Sequence, residues 1–311
     1  MMLFDDTREW VFLFPGIGVK PFGREGEFYR KYRTVIEPYL EKGSGMAGVD
    51  LTASLLQNAT FEGNQFSHEV FAYVFAYGTF RVFCEHGLVP KLVGGHSLGI
   101  YAALAASGAI SFPDGLAIIE KAHRLGRKFN PEKRFGVVVI IGLDHDDVAG
   151  VITEKGLASV NLANLNNASS GVYVGHKEET DRLLAWAEGA GAIKTIPLPV
   201  DIPFHSPLFM AEASRELRIF LESLPWRRPI CPVLSALDHS LLSTEEELIE
   251  MTAANLSHPI HWPGVMKKLK VIGVEAVIEC GAGVSLSQHA RFIDAAPRHY
   301  NLRNLKRRLN Y

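Results

Sequence analysis

Short apolar runs that end at glycine alternate along the chain with longer apolar or amphipathic stretches. Residues 11–14 and 91–93 are such short runs, which is typical of buried strands followed by tight turns. Residues 68–84 are almost wholly apolar and too long for a strand, so they predict a core helix. Residues 100–106 are rich in alanine and favour a helix. The second short run is therefore predicted to lead through a glycine turn into a helix.

The middle of the chain predicts a separate small domain. Its periodicity predicts strand, helix, strand, strand, helix and strand at residues 135–141, 146–154, 158–164, 172–174, 178–188 and 193–200. This β-α-β-β-α-β order is the ferredoxin-like arrangement. We expect residues 134–200 to form a ferredoxin-like subdomain inserted into a larger α/β domain made of residues 1–133 and 201–311. A further short strand is expected at residues 277–279.

Composition and charge exclude several classes of function. Of the 311 residues, 47% are hydrophobic and 21% charged, a balance typical of globular proteins, and the net charge of −2 argues against bulk binding to nucleic acid or membranes. The three cysteines have neither the number nor the spacing of a disulfide framework or metal site. Residues 1–6 are acidic where a signal peptide would be basic, so a cytoplasmic protein is expected.

The sharpest motif is Gly95-His96-Ser97-Leu98-Gly99, which lies between a predicted strand and a predicted helix. A G-x-S-x-G sequence in this context is typical of a nucleophile elbow. Its glycines permit a tight turn that exposes the serine hydroxyl, and the following helix presents free N–H groups to a developing oxyanion. The motif predicts that Ser97 is a nucleophile.

A serine hydroxyl needs a base to remove its proton. His205 is the candidate, because prolines on both sides hold it in a loop directly after the small domain, although loop histidines are also often structural. The loop Gly16-Ile17-Gly18, after the first strand, could donate a second N–H to the oxyanion. A dinucleotide site is excluded there, because Pro21 stands where G-x-G-x-x-G requires glycine.

The motifs together resemble a known family. The start of the chain, the elbow, the inserted domain, residues 203–206 and residues 279–283 occur in the same order in malonyl-CoA:acyl-carrier-protein transacylases, and the sequence is similar also to polyketide synthase acyltransferase domains. The resemblance covers nearly the whole chain. It implies an α/β-hydrolase-like core with the ferredoxin-like insert. It also implies a ping-pong mechanism, in which serine takes an acyl group from coenzyme A and passes it to a carrier-protein phosphopantetheine thiol.

The resemblance assigns roles by position. Ser97 matches the nucleophile and His205 the base, while the backbone N–H groups of Ile17 and Leu98 match the oxyanion hole. Asn255 stands where the family has the residue, usually glutamine, whose main-chain carbonyl orients the histidine. The acyl group is expected to lie among Gly16, Gly18, His96, Leu125 and Phe204. No bound cofactor or metal is implied; the coenzyme A thioester and the acyl carrier protein's phosphopantetheine are substrates.

The sequence departs from the family where the acyl group should be recognised. Ile17 and Ile100 replace the usual glutamine and glutamate, and Leu125 stands where malonyl-specific members place the arginine that binds the malonyl carboxylate. A bidentate arginine makes two charge-assisted hydrogen bonds, and a buried carboxylate without them is strongly disfavoured. We therefore expect an acyl group that is uncharged at its far end. Alternatively, a shifted register brings Arg124 or Arg127 into that position and restores malonyl specificity.

Three functions remain open on the sequence. The first is an acyltransferase whose partner is an acyl carrier protein. The second is an acyl hydrolase on the same scaffold, in which water resolves the Ser97 ester. The third is a non-catalytic subunit that docks a carrier protein, which the intact motifs disfavour. Carrier proteins are acidic, and basic clusters at residues 127–134, 267–270 and 303–308 are candidate docking surfaces.

Overall fold

The structure of the protein is a computed structural model that describes residues 10–17, 23–58, 61, 63–294 and 296–309. The described helices are α1 (Glu25–Lys31), α2 (Arg33–Ala47), α3 (Leu51–Leu56), α4 (Gln65–Glu85), α5 (Gly99–Ala106), α6 (Phe112–Phe129), α7 (His145–Glu154), α8 (Lys177–Gly189), α9 (Pro207–Glu222), α10 (Glu245–Ala254), α11 (Trp262–Val271), α12 (Ser285–Ala290) and α13 (Leu302–Leu309). The described strands are β1 (Trp10–Phe14), β2 (Pro90–Gly95), β3 (Phe135–Ile141), β4 (Asn161–Asn167), β5 (Ser170–His176), β6 (Lys194–Pro197), β7 (Val233–Leu234), β8 (Leu241–Leu242), β9 (Ile260–His261), β10 (Ala276–Glu279) and β11 (Arg298–Tyr300).

The larger sheet has the strand order β11-β10-β1-β2-β7-β8. All its neighbouring pairs are parallel except β7 with β8. The predicted strands at 11–14, 91–93 and 277–279 are confirmed as β1, β2 and β10, and they lie side by side in the centre. All five residues of β1 are buried, as expected for a strand covered on both faces.

The predicted core helix is confirmed as α4, which is apolar around most of its circumference. Phe80 and Phe83 of this helix pack against Phe12 of β1, with ring centroids 5.3 and 6.1 Å apart. A helix that is hydrophobic all round is stable only when neighbours cover every side. This burial places Glu69, near the start of α4, inside the protein at 1% exposure.

The loops after β1, β2 and β10 meet at one edge of the sheet, because the three strands are parallel neighbours. Two backbone hydrogen bonds tie the loops together: His96 N–H donates to Phe14 O at 2.9 Å, and Cys280 N–H donates to Leu13 O at 2.8 Å. In open α/β sheets, ligands bind outside the carboxyl ends of the strands. The serine loop lies at this edge.

The smaller sheet contains the order β6-β3-β5-β4 with antiparallel neighbours, which is the ferredoxin-like topology. The fold is therefore an α/β-hydrolase-like core with a ferredoxin-like subdomain, as the sequence predicted. Two bounds of the prediction were wrong: the second strand of the subdomain in chain order is Asn161–Asn167 and not 158–164, and the last is Lys194–Pro197 and not 193–200. Residues 165–167 were not predicted as a strand, but they continue β4, which pairs with β5 through two bulges.

A segment from far along the chain extends the smaller sheet. Strand β9 pairs parallel to β4, with Asn164 opposite Ile260 and Leu165 opposite His261. The smaller sheet is thereby joined to the segment that follows α10. The division into residues 134–200 and the two flanking segments stays a prediction.

Glu279 fixes the loop that follows β10. Its side chain is 1% exposed and accepts hydrogen bonds from the N–H groups of Leu286 and Ser287, both at 2.9 Å, and from the Ser287 hydroxyl at 2.5 Å. The carboxylate therefore binds the first turn of α12 to the end of a central strand. This explains why an acidic residue stands at the end of an otherwise apolar strand.

Glu279→Ala is expected to lower the free energy of unfolding by about 3 kcal/mol, because two buried N–H groups lose their acceptor and each costs roughly 1–3 kcal/mol. Urea denaturation followed by circular dichroism measures this. Glu275→Ala, at an exposed position of the same segment, is the control and should change stability by less than about 0.5 kcal/mol. Equal stabilities of the two variants would contradict the role given to Glu279.

Candidate active site

Ser97 lies in a sharp turn between β2 and α5, with a backbone φ of 53°. A positive φ is uncommon for a residue with a side chain, and the surrounding structure must hold it in place. The glycines of the motif permit the close packing: a Cβ on Gly95 would lie 2.2 Å from Ile100 N, and one on Gly99 would lie 2.1 Å from Phe14 O. The geometry is that of a nucleophile elbow.

His205 contacts the serine directly. Its Nε2 lies 2.7 Å from Ser97 Oγ, and its Nδ1 lies 3.1 Å from the carbonyl oxygen of His258. Because a carbonyl can only accept, Nδ1 carries the proton and Nε2 is free to accept the hydroxyl proton of Ser97. The pair is therefore oriented for proton transfer from serine to histidine.

The backbone of His205 is held by two hydrogen bonds, and a third fixes the side chain of Asn161 that makes one of them. Its N–H donates to Leu256 O at 2.7 Å, its carbonyl accepts from Asn161 Nδ2 at 3.0 Å, and Asn161 Oδ1 accepts from the Ser206 hydroxyl at 2.7 Å. These contacts stabilise a φ of 64° at His205. Asn161 comes from the smaller sheet, where residues 158–164 were predicted only as a strand, so no sequence signal marked it as part of the site.

Asn255 lines the same pocket as Ser97 and His205. Its expected role, to orient the histidine through a main-chain carbonyl, is shared with another residue. The 3.1 Å hydrogen bond to His205 Nδ1 is made by the carbonyl of His258, and the backbone of Asn255 acts on the ring in the same sense. The side chain of Asn255 lies 3.5 Å from Ser97 O and hydrogen-bonds the Tyr101 hydroxyl. Asn255 therefore also contacts the serine turn, and no sequence signal pointed to His258.

Burial lowers the pKa of His205 to about 4, partly opposed by hydrogen bonds with the backbone of His258 and Asn255. The ring is only 4% exposed, and removal from water disfavours its charged form. Because this pKa lies well below 7, the imidazole is neutral at physiological pH. It is therefore in the protonation state that a general base needs.

The rate of acylation of Ser97 is expected to stay level from pH 8 down to about 5 and to fall to half near pH 4. The neutral ring is the active form, so a lowered pKa extends activity towards acid. Rapid-quench acylation with intact-protein mass detection measures the profile, and circular dichroism at each pH controls for acid unfolding. Half-loss near pH 6.5, the ordinary histidine value, would contradict the burial effect.

Ile17 and Leu98, the predicted oxyanion residues, line the same pocket as Ser97 and His205. Leu98 lies at the N-terminal end of α5, where helix N–H groups favour negative charge. Gly16 packs closely on the elbow, since a Cβ there would lie 3.0 Å from His96 O. Gly18 lies outside the described residues.

The pocket encloses about 360 Å³, part of it open to solvent. Tyr101, Ile119, Ala122, Phe204 and Leu256 form its walls together with the residues already named. Glu69 also lines it and was not expected from the sequence, because it stands near the start of a largely apolar helix. Among the described residues, no lysine or arginine lines this pocket.

Two predicted acyl contacts lie elsewhere, while Phe204 lines the pocket. His96 packs against Trp262 with ring centroids 5.2 Å apart, and its Nε2 lies 3.2 Å from Asn166 Oδ1. Burial, with the neighbouring histidines, lowers the pKa of His96 to about 3. Leu125 is buried in the main core and is not among the described residues that line the pocket.

The orientation of helix α6 determines which of its residues line the pocket. It runs unbroken from Phe112 to Phe129 and presents Ile119 and Ala122 to the serine. Arg124 and Arg127 are exposed, and neither is among the described residues that line the pocket. The structure thus gives no support to a register that brings either arginine to the acyl group.

Two classes of feature are missing from the described part of the chain. In it, no group of three or more histidine, cysteine or acidic side chains is arranged to hold a metal ion. Within the same residues, no helix combines the length and apolar character needed to cross a bilayer. Cys84, Cys231 and Cys280 are free thiols.

Comparison with known proteins gives consistent relatives, although no family model matches the chain. The sequence is 30% identical over 282 residues to the malonyl CoA-acyl carrier protein transacylase of Salmonella typhimurium, covering 90% of this chain and 91% of that protein. An acyl-carrier-protein S-malonyltransferase from Burkholderia pseudomallei superposes with a TM-score of 0.88 at 28% identity, covering 98% of this chain and all of that one. A type II polyketide synthase malonyl-transacylase, solved in complex with its acyl-carrier protein, also superposes with a TM-score of 0.88 at 27% identity. The match covers 97% of this chain and 99% of that one.

Proposed function

This chain belongs to the malonyl CoA-acyl carrier protein transacylase family, and we propose that it moves an acyl group from a coenzyme A thioester to an acyl carrier protein through an ester on Ser97. Proteins of this family are acyltransferases by name. The observation that carries the proposal is the 2.7 Å contact between Ser97 Oγ and His205 Nε2 in a buried pocket. The order of motifs in the sequence supports it independently.

In the first half-reaction, Ser97 Oγ attacks the thioester carbonyl while His205 Nε2 takes the hydroxyl proton. The negative charge that develops on the carbonyl oxygen is stabilised by the N–H groups of Ile17 and Leu98; one such donor is worth roughly 10²–10³ in rate. The carbon–sulfur bond then breaks, and the departing thiolate takes the proton from His205. The acyl group remains as an ester on Ser97.

In the second half-reaction, the phosphopantetheine thiol of the carrier protein attacks the ester carbonyl. His205 takes the thiol proton as the new carbon–sulfur bond forms, and it returns this proton to Ser97 Oγ as the ester breaks. The same two oxyanion donors act again, because the tetrahedral intermediate occupies the same position. No cofactor takes part in either step.

The carrier protein is proposed as a transient partner that meets exposed basic residues of this chain. One of the candidate clusters is already largely neutralised: Lys128 pairs with Glu216, Lys133 with Asp201, and Arg134 with Glu132. Arg127 of that cluster is exposed, as are Lys267 in α11 and Lys270 in its last turn. These three side chains are the better candidates for contact with an acidic carrier protein.

Intact-protein mass spectrometry tests the proposal. Incubation with a panel of acyl-CoAs should add one acyl mass to the wild-type protein, and addition of holo carrier protein should move that mass to the carrier. Ser223→Ala, at an exposed serine, is the matched control and should be acylated normally. Failure of every thioester to add mass would overturn the proposal.

The same experiment separates a transferase from a hydrolase, since the two differ only in whether a thiol or water attacks the ester. We expect release of free acid to be slow without carrier protein and the transfer to be fast with it. Rapid release of free acid, unchanged by holo carrier protein, would identify a hydrolase. A non-catalytic docking subunit would form no ester. The contact between Ser97 and His205 argues against this third function.

A further inference from the structure

A buried acidic residue lines the pocket in which the acyl group would lie. Glu69 is 1% exposed and lines the same pocket as Ser97 and Ala122. Charged side chains are almost never fully buried without partners. The partners of Glu69 therefore determine what its carboxylate can offer to a substrate.

Two side chains hold Glu69 from outside the pocket lining. His123 Nδ1 lies 2.9 Å from Oε2, and Gln65 Nε2 donates to Oε1 at 2.7 Å. The orientation of the Gln65 amide is set by the N–H of Asp201, which donates to Gln65 Oε1 at 2.6 Å. Neither donor is among the described residues that line the pocket.

The carboxylate retains capacity to accept more hydrogen bonds. An ionised carboxylate has about four lone-pair positions, of which His123 and Gln65 take two. The Glu69 carboxylate also acts on the phenol of Tyr101, which lines the pocket. Burial is the larger cause that raises the pKa of this phenol, and Glu69 raises it further. The pocket therefore offers an acceptor of hydrogen bonds where malonyl-binding relatives are expected to offer a cation.

We propose that Glu69 determines acyl specificity by binding a short, uncharged acyl group whose end donates a hydrogen bond, such as an amide or hydroxyl, and by excluding the malonyl carboxylate. The inference rests on the proposed function, since it concerns the acyl group carried by Ser97. A malonyl carboxylate here meets a like charge in a buried site with no lining lysine or arginine among the described residues. A donor group instead completes the hydrogen bonds of Glu69.

Three thioesters of nearly equal size and shape test this: malonyl-CoA, its amide analogue malonamyl-CoA, and acetoacetyl-CoA, which carries a methyl group in place of the amide nitrogen. Second-order rate constants for Ser97 acylation are measured by rapid quench and intact-protein mass. In the wild type we expect the rate constant for malonamyl-CoA to be about 10-fold higher than that for acetoacetyl-CoA and about 100-fold higher than that for malonyl-CoA. This expectation follows from the strength of a hydrogen bond to a charged group.

Glu69→Gln removes the charge and keeps the size, so the malonamyl-to-malonyl ratio should fall at least 10-fold. Glu120→Gln, on the exposed face of α6, is the control and should leave all ratios unchanged. Malonyl reacting as fast as malonamyl in the wild type would overturn the inference without any variant. Unchanged ratios in folded Glu69→Gln would overturn it too. If no thioester acylates the wild type, the proposed function itself fails; if Ser97 is acylated with the wrong preference, only the role of Glu69 fails.

Discussion

Ser97→Ala is expected to abolish acylation by every acyl-CoA and to lower overall acyl transfer to the carrier protein by about 10⁶-fold, the scale seen in kcat when the catalytic serine is removed from a protease triad. The variant has no oxygen to form the ester, and alanine retains the Cβ, so the φ of 53° at this position costs no more than in the wild type. Intact-protein mass after incubation with acyl-CoA is the measurement. The protein should remain at its unmodified mass.

An acyl adduct on the variant would contradict the role given to Ser97. If an acyl adduct persists on Ser97→Ala, peptide mapping will locate it on another residue, and the central role of Ser97 is then wrong. Ser223→Ala controls for the loss of an ordinary serine, because its side chain is exposed and donates to the nearby carbonyl of Phe220. Matching unfolding curves for the two variants would show that the loss of acylation is chemical and not structural.

His205→Asn is expected to slow acylation by about 10⁴-fold, the upper range for loss of a general base. Asparagine is chosen because it tolerates the left-handed backbone that His205 adopts at φ 64°. Its amide cannot take the hydroxyl proton of Ser97, so the serine remains a weak nucleophile. Rapid-quench acylation with mass detection is the measurement.

Transfer from the acyl-serine to a carrier thiol should slow by a similar factor, because this step is chemically the reverse of acylation and His205 relays the proton between the thiol and Ser97 Oγ in both directions. The two half-reactions would thus respond alike to one substitution. A large loss in only one of them would contradict the view that His205 relays the proton in both. His176→Ala, at an exposed histidine, is the control and should change neither rate.

Local sequence was sufficient for the elements and the nucleophile. The apolar runs at β1, β2 and β10, the apolar length of α4 and the glycines around Ser97 each express a short-range requirement of burial or of backbone conformation. The ferredoxin-like order could be predicted for the same reason, since strand and helix periods differ. The exception was β4, whose asparagines obscured the strand period.

The remainder of the site was decided by long-range contacts that leave no local pattern. His258 accepts from His205 across 53 positions, Asn161 holds His205 from another sheet, and Glu69 meets His123 across 54 positions. The face of α6 that meets the serine was likewise fixed by packing, which turned Ala122 towards the pocket and Arg124 to solvent. The sequence by itself thus predicted the fold, the candidate serine and the candidate histidine, because those predictions depend on periodicity, on motifs and on the resemblance that the motifs carry. Only the tertiary structure decided which groups contact the histidine and that an acidic residue lines the pocket, because hydrogen bonds and burial join residues that are distant in the chain.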